Sequence, residues 1–144
     1  MATYVLGMNA GLYQGAAGST TPSSMSEVDN VRDVTLSMEA GEADITTRGN
    51  SGWRATAPTL RECTVEFQMV WKPGDTVFEA IKTAFLTAGN VALAVLDQKV
   101  GITGAQGPLG DFSITNFSRN EALEEAIVAD VTAKLAVFVE WHEV

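Results

Sequence analysis

The chain lacks most of what a catalyst or a nucleic-acid binder needs. In 144 residues it has one cysteine, Cys63, and one histidine, His142. A lone cysteine excludes an intrachain disulfide, and on an apolar strand face it reads as a small core residue. Any Ser-His-Asp or Cys-His arrangement must use His142, two residues from the end of the sequence, and a single His with Cys63 makes no metal-ligand cluster. Positive charge is also scarce, with 9 Lys+Arg against 18 Asp+Glu and a net charge of −9. That balance excludes a chain that neutralises phosphates by itself. No segment approaches the ~20 apolar residues that span a bilayer. The start MATYVLGMNAGLY lacks the basic residues and long apolar run of a secretion signal. The expectation is a protein of a reducing compartment, without membrane contact and without cofactor or metal.

What is present is a folding pattern. Apolar residues make up 46% and charged residues 19%, which suits one folded domain over 1–144 rather than a disordered chain. The organising stretch is Leu60–Trp71. Cys63, Val65, Phe67, Met69 and Trp71 alternate with Glu62, Thr64, Glu66 and Gln68, so one strand face is apolar and the other polar. Val31–Ala40 alternates in the same way, with Val34, Leu36 and Met38 opposite Asp33, Thr35, Ser37 and Glu39. Thr76–Ala88 is the one helix, capped by Asp75 or Thr76 and ended by Gly89. Its stripe runs through Val77, Phe78, Ile81, Ala84, Phe85 and Ala88. Ile81 and Phe85 are expected to pack on Phe67 and Met69.

Val91–Leu96 is apolar on both faces and reads as an interior strand. Asp111–Ser118 and Glu125–Phe138 are two more strands. Residues 1–30 read as an N-terminal arm, β-prone over Ala2–Met8, followed by a flexible segment over Ala10–Ser26 that is ordered only if something else holds it, with a core over 31–140. Gly41–Thr59 reads as one long loop in which Ile45–Arg48 and Trp53–Thr56 pair as a small hairpin. The fold class is mainly β: a two-sheet sandwich or partly open barrel with one flanking helix.

Candidate chemistry falls away on inspection. Gly101, Gly104, Gly107 and Gly110 recur every third residue, but a strand rather than a helix follows, so they read as a flexible connection and not a phosphate loop. Glu62 and Glu66 lie about 13 Å apart along a strand without aromatics beside them, which does not suit a glycosidase pair. Glu121, Glu124 and Glu125 lack calcium-loop spacing and read as a solvated turn or a docking surface for a basic partner. Nothing catalytic remains, and the chain reads as an assembly module.

Two blocks, Asn30–Trp71 and Asp111–Ala136, resemble the major tail tube proteins of long-tailed bacteriophages. The likeness lies in the order of elements and in local phrases, an ADITTRGN loop before the half-polar strand and SITNFSRNEALEEA after the helix. The resemblance implies hexameric rings that stack into a hollow tube, with sheets of neighbouring copies joined around a lumen. It implies the chain itself, a tape-measure protein and tail terminator and baseplate proteins as partners. It also implies a place in the virion tail after assembly in the host cytoplasm, with DNA passing through without specific binding. A tube of a phage-related secretion machine, a capsid decoration protein and a head–tail joining protein are the alternatives. A carbohydrate-binding sandwich would show exposed aromatics on one face.

On this reading Asp33, Thr35, Glu62, Thr64, Glu66, Gln68, Asp130 and Thr132 line the lumen, with Lys134 a departure at a rim. An acidic wall repels phosphate only within about 8 Å in physiological salt, so it prevents sticking rather than driving DNA. Contacts between rings fall to Arg48, Asn50, Trp53 and Arg54 on one side and to Glu121, Glu124 and Glu125 on the other. Arg48, Arg54 and Arg61 concentrate three of the nine positive charges near Trp53.

Overall fold

The computed structural model describes residues 4–144. Its strands are β1 (Gly11–Ala16), β2 (Ser26–Glu27), β3 (Val31–Asp44), β4 (Thr56–Val70), β5 (Asn90–Leu96), β6 (Gln106–Asn120) and β7 (Val128–Glu143), with helix α1 (Thr76–Thr87) between β4 and β5. All pairings are antiparallel within one seven-stranded sheet of order β2-β1-β5-β6-β7-β4-β3. Consecutive β2 and β3 therefore occupy opposite edges of the sheet, joined only by Val28–Asn30. Four backbone steps reach at most about 14 Å, so the sheet must curl until its edges nearly meet. The result is a mainly β, partly open barrel with one helix, its facing layers supplied by a single sheet.

The core lies inside the curl. Cys63, Val65, Phe67 and Met69 are buried there with Leu12, Leu93, Phe112 and Val131, as the period-two pattern of β4 demands. Helix α1 adds Val77, Phe78, Ile81 and Ala84 to the same cluster. Phe85 instead stays 39% exposed at the margin, its ring stacked on Phe117. Asp75 is the N-cap, accepting from the Phe78 N–H at 3.2 Å. The left-handed closing residue is Ala88 (φ +56°), one position before the glycine expected to end the helix.

Four sequence expectations are corrected or sharpened. Gly11–Ala16 is not part of a flexible segment: it pairs along its whole length with β5, and Leu12 and Tyr13 are buried. Within the Ala2–Met8 run, Ala2 and Thr3 lie outside the described residues, and the remainder forms no strand, with a short 3-10 turn at Gly7–Asn9. Gly41–Thr59 is not one loop, because β3 reaches Asp44 and β4 starts at Thr56, with pairing as far as Asp44↔Thr56. The Gly101–Gly110 run is only partly a connection. Gly107 and Gly110 are buried in β6, where backbone from neighbouring strands leaves no room for a side chain.

Candidate functional site

The outer face of the sheet divides into two halves of opposite chemistry. Over β1, β5 and the first half of β6 it is apolar: Tyr13, Ala94, Leu96 and Leu109 are buried beneath Met25, Val100 and Val139. The chain covers this half itself. The Tyr13 hydroxyl accepts from the Val100 N–H at 3.0 Å, and the Asp111 carboxylate accepts from the Gly18 N–H at 2.9 Å, fastening two loops to the sheet. A buried apolar strand face needs such a cover, which is why Val91–Leu96 is apolar on both sides.

Over β3, β4, the first half of β7 and the second half of β6, the outer face is polar and uncovered. Register aligns its side chains in rows across four strands. One row is Thr35, Glu66, Thr132 and Asn116; the next is Ser37, Thr64, Lys134 and Ser113. Gln68, Asp130 and Ser118 form a third, in which the Gln68 amide donates to Asp130 Oδ1 at 3.1 Å. These side chains are exposed or half-buried. Glu62 faces Glu39 across the β3–β4 ladder, an unfavourable like-charge pair with no ion-pair partner among the described residues.

Seven of the eight residues read as lumen-lining thus share one panel: Thr35, Glu62, Thr64, Glu66, Gln68, Asp130 and Thr132. Asp33 lies within the register shift between Val31 and Val34 and borders the groove between the sheet edges. Lys134 stands in the last pair of the β4–β7 ladder, between Thr64 and Ser113. Asn116 and Ser118 belong to the panel but were not singled out from sequence. A register shift between Ile114 and Asn116 breaks the period of two that would have marked them.

The residues assigned to contacts between rings occupy opposite ends of this panel. Arg48, Asn50, Trp53 and Arg54 lie in the loop at the tip of the β3–β4 hairpin. The Asn50 side-chain amide donates to the Trp53 carbonyl at 3.0 Å and helps close that loop, while Trp53 is 76% exposed. Asp44 accepts from both the Thr46 hydroxyl and its N–H, which holds its carboxyl below the usual range. Glu121, Glu124 and Glu125 lie in the turn between β6 and β7. That turn starts from Asn120↔Val128, and Val128 pairs with Val70 at the far end of β4 from Thr56. At about 3.3 Å per residue, the length of β4 separates the two surfaces by roughly 46 Å. Arg119 approaches Glu121 at 3.7 Å, whereas Glu124 and Glu125 have no cationic partner among the described residues. Leu123, fully exposed in that turn, escaped the sequence reading because its neighbours suggest only a solvated acidic knot.

Neither His142 nor Cys63 builds a reactive centre. His142 Nδ1 lies 3.1 Å from Glu140 on an exposed strand end, and burial pushes the Cys63 thiol pKa up, away from the reactive thiolate. No helix among the described residues is long and apolar enough to cross a membrane.

No protein-family model matches the chain, and no curated protein matches it by sequence. Solved structures do match. The tail of an empty gene transfer agent particle, refined helically with C6 symmetry, shares 17% identity at TM-score 0.75, covering 96% of this chain and 98% of that one. The virion of a native gene transfer agent particle gives 17% identity and TM-score 0.67, covering 94% and 98%. The SPP1 tail tube gives 16% identity and TM-score 0.74, covering 98% of this chain and 81% of that one. The fold is that of tail and tail-tube subunits, over nearly the whole chain.

Proposed function

We propose that the chain is a structural, non-enzymatic subunit of a phage-type tail tube, assembling as hexameric rings that stack around a DNA channel. The observation that carries this reading is the division of the outer sheet face. A free-standing barrel has no use for a bare acidic panel beside an apolar half that its own loops cover. A channel wall does: the panel faces the lumen and supplies carboxylates and hydroxyls rather than phosphate-binding cations. The shared fold, and the C6 symmetry of one similar tail, support the ring of six.

Stacking uses the two ends of the panel. Arg48, Arg54 and Trp53 of one ring meet Glu121, Glu124 and Glu125 of the next, a heterologous contact that repeats without closing. Exposed ion pairs contribute only about 0–1 kcal/mol each, so Trp53 is the apolar anchor and Leu123 its counterpart in the acidic turn. DNA, a tape-measure protein in the channel, and terminator and baseplate proteins at the tube ends are the partners. The place of action is the virion tail, after assembly in the host cytoplasm.

Negative-stain microscopy of the purified protein tests the proposal. Hollow tubes with a repeating ring are expected. Rings that never stack would point instead to a head–tail joining role, and a persistent monomer would overturn it.

A further inference from the structure

The turn between β6 and β7 has little structure of its own. Residues 121–126 are all exposed, and among the described residues one backbone bond spans part of the turn, from the Glu125 N–H to the Ala122 carbonyl at 3.3 Å. Such a segment keeps one shape only if its ends are held. Both ends are held by the same residue, Trp71. Where the chain leaves β6, the Arg119 guanidinium lies over the Trp71 ring, 5.1 Å from its centroid and within cation–π range. Where it returns towards β7, the Trp71 N–H donates to the Ile127 carbonyl at 2.7 Å.

Trp71 is itself firmly seated. Its ring meets Phe78 edge to face at 4.7 Å and Phe117 at 6.0 Å. Phe78 is buried, and its N–H is the one that Asp75 caps, so helix α1 backs the indole. Arg119 reaches from this base into the turn, its Nε 3.7 Å from Glu121 Oε1. A planar guanidinium can cover a ring and still point an edge N–H at a carboxylate, which a lysine ammonium cannot do. We infer that Trp71 and Arg119 clamp the turn in the shape in which it meets the next ring, with Arg119 the positioning residue. Glu121 is then engaged within its own subunit, and Leu123, Glu124 and Glu125 form the face that docks. This rests on the stacking reading above and narrows its acidic side. A turn ordered in advance need not be ordered during stacking, so the clamp strengthens each contact without touching the partner.

Two measurements test the clamp. Cleavage by a glutamate-specific protease reads the turn in subunits diluted below the concentration at which tubes grow. Arg119 is half exposed, so Arg119→Gln and Arg119→Lys leave the core intact. Both should speed cleavage after Glu124 and Glu125 several-fold, while cleavage after Glu66, within β4, keeps its rate. Tube growth reads the consequence, and both variants should need a several-fold higher protein concentration to elongate. Glu124→Gln with Glu125→Gln should weaken the salt dependence of elongation, whereas Glu121→Gln should leave it unchanged. Turn cleavage that stays at its original rate, or that rises only together with cleavage after Glu66, would overturn the clamp. A salt dependence weakened as much by Glu121→Gln would return that residue to the docking face and overturn the division of roles. A loosened turn with undisturbed elongation would leave the clamp standing and overturn this turn as the contact between rings.

Discussion

A β-carbon on Gly107 would stand 1.6 Å from the carbonyl oxygen of Val95. No relaxation of a flexible side chain relieves a clash with backbone, so β6 passes β5 at this point only because the residue is glycine. Gly107→Ala should cost about 3 kcal/mol or more or abolish folding. Gly101→Ala, with nothing within 4 Å of the added carbon, should shift the denaturation midpoint little. Equal effects of the two would show that the β5–β6 approach is not a constraint.

Ala88 closes the helix in the left-handed region, where an L-residue with a β-carbon is strained by roughly 1–2 kcal/mol. Ala88→Gly should therefore raise stability by about 1 kcal/mol, net of the greater freedom glycine has when unfolded. A thermal scan reads this as a higher melting temperature. Ala88 is exposed and outside the panel's rows, so assembly should be unaffected.

Charge on the panel gives a test in which folding and function move apart. Glu62→Lys replaces a like-charge pair with an attractive one opposite Glu39, and should leave the monomer unharmed or stabilise it by roughly 0.2–1 kcal/mol. Adding Glu66→Lys and Asp130→Lys creates a cationic wall. Tubes carrying all three changes should retain DNA and eject it slowly, most visibly at low salt, where released counterions favour phosphate contact. Normal ejection at low salt would mean that this face does not line the channel.

The hairpin tip is expected to be dispensable for folding and needed for elongation. Ile45–Ala55 lies beyond the last β3–β4 pair, and the buried core does not draw on it. Replacing it with a short Gly-Ser turn should keep the circular dichroism spectrum and solubility while stopping growth at single rings. Long tubes from this variant, seen by electron microscopy, would place the contact between rings elsewhere.

The sequence exposed those parts of the fold where burial alternates within one strand. Cys63 to Met69 announced β4, its register and its polar face, and through them most of the panel. Strand β1 was hidden because Gly11 and Gly15 read as flexibility, whereas its order comes from pairing with β5, some eighty residues away. The outer ends of β3 and β4 were hidden for a different reason. Ala43 and Ala57 are only half-buried against each other and Pro58 is exposed, none of them joining the buried core, so no apolar period marks them. In β6, register shifts carried Asn116 and Ser118 onto the polar face without a regular alternation to reveal it.

The link between β2 and β3 also sets the mechanics of the subunit. The Val28 N–H donates to the Leu12 carbonyl at 2.8 Å, the Val70 N–H donates to the Asn30 carbonyl at 3.0 Å, and the Asn30 side-chain amide donates to the Val70 carbonyl at 2.8 Å. One end of the link is therefore pinned to β1 and the other to β4, with Asp29 alone between them. Two backbone steps extend to about 7 Å, so this link acts as a latch across the open side of the barrel. A load that tends to flatten the sheet must break these bonds before the strands can unroll. Among the described residues, bending is thereby confined to what lies outside the latched body, above all the β3–β4 tip, and the panel holds its curvature as a rigid plate.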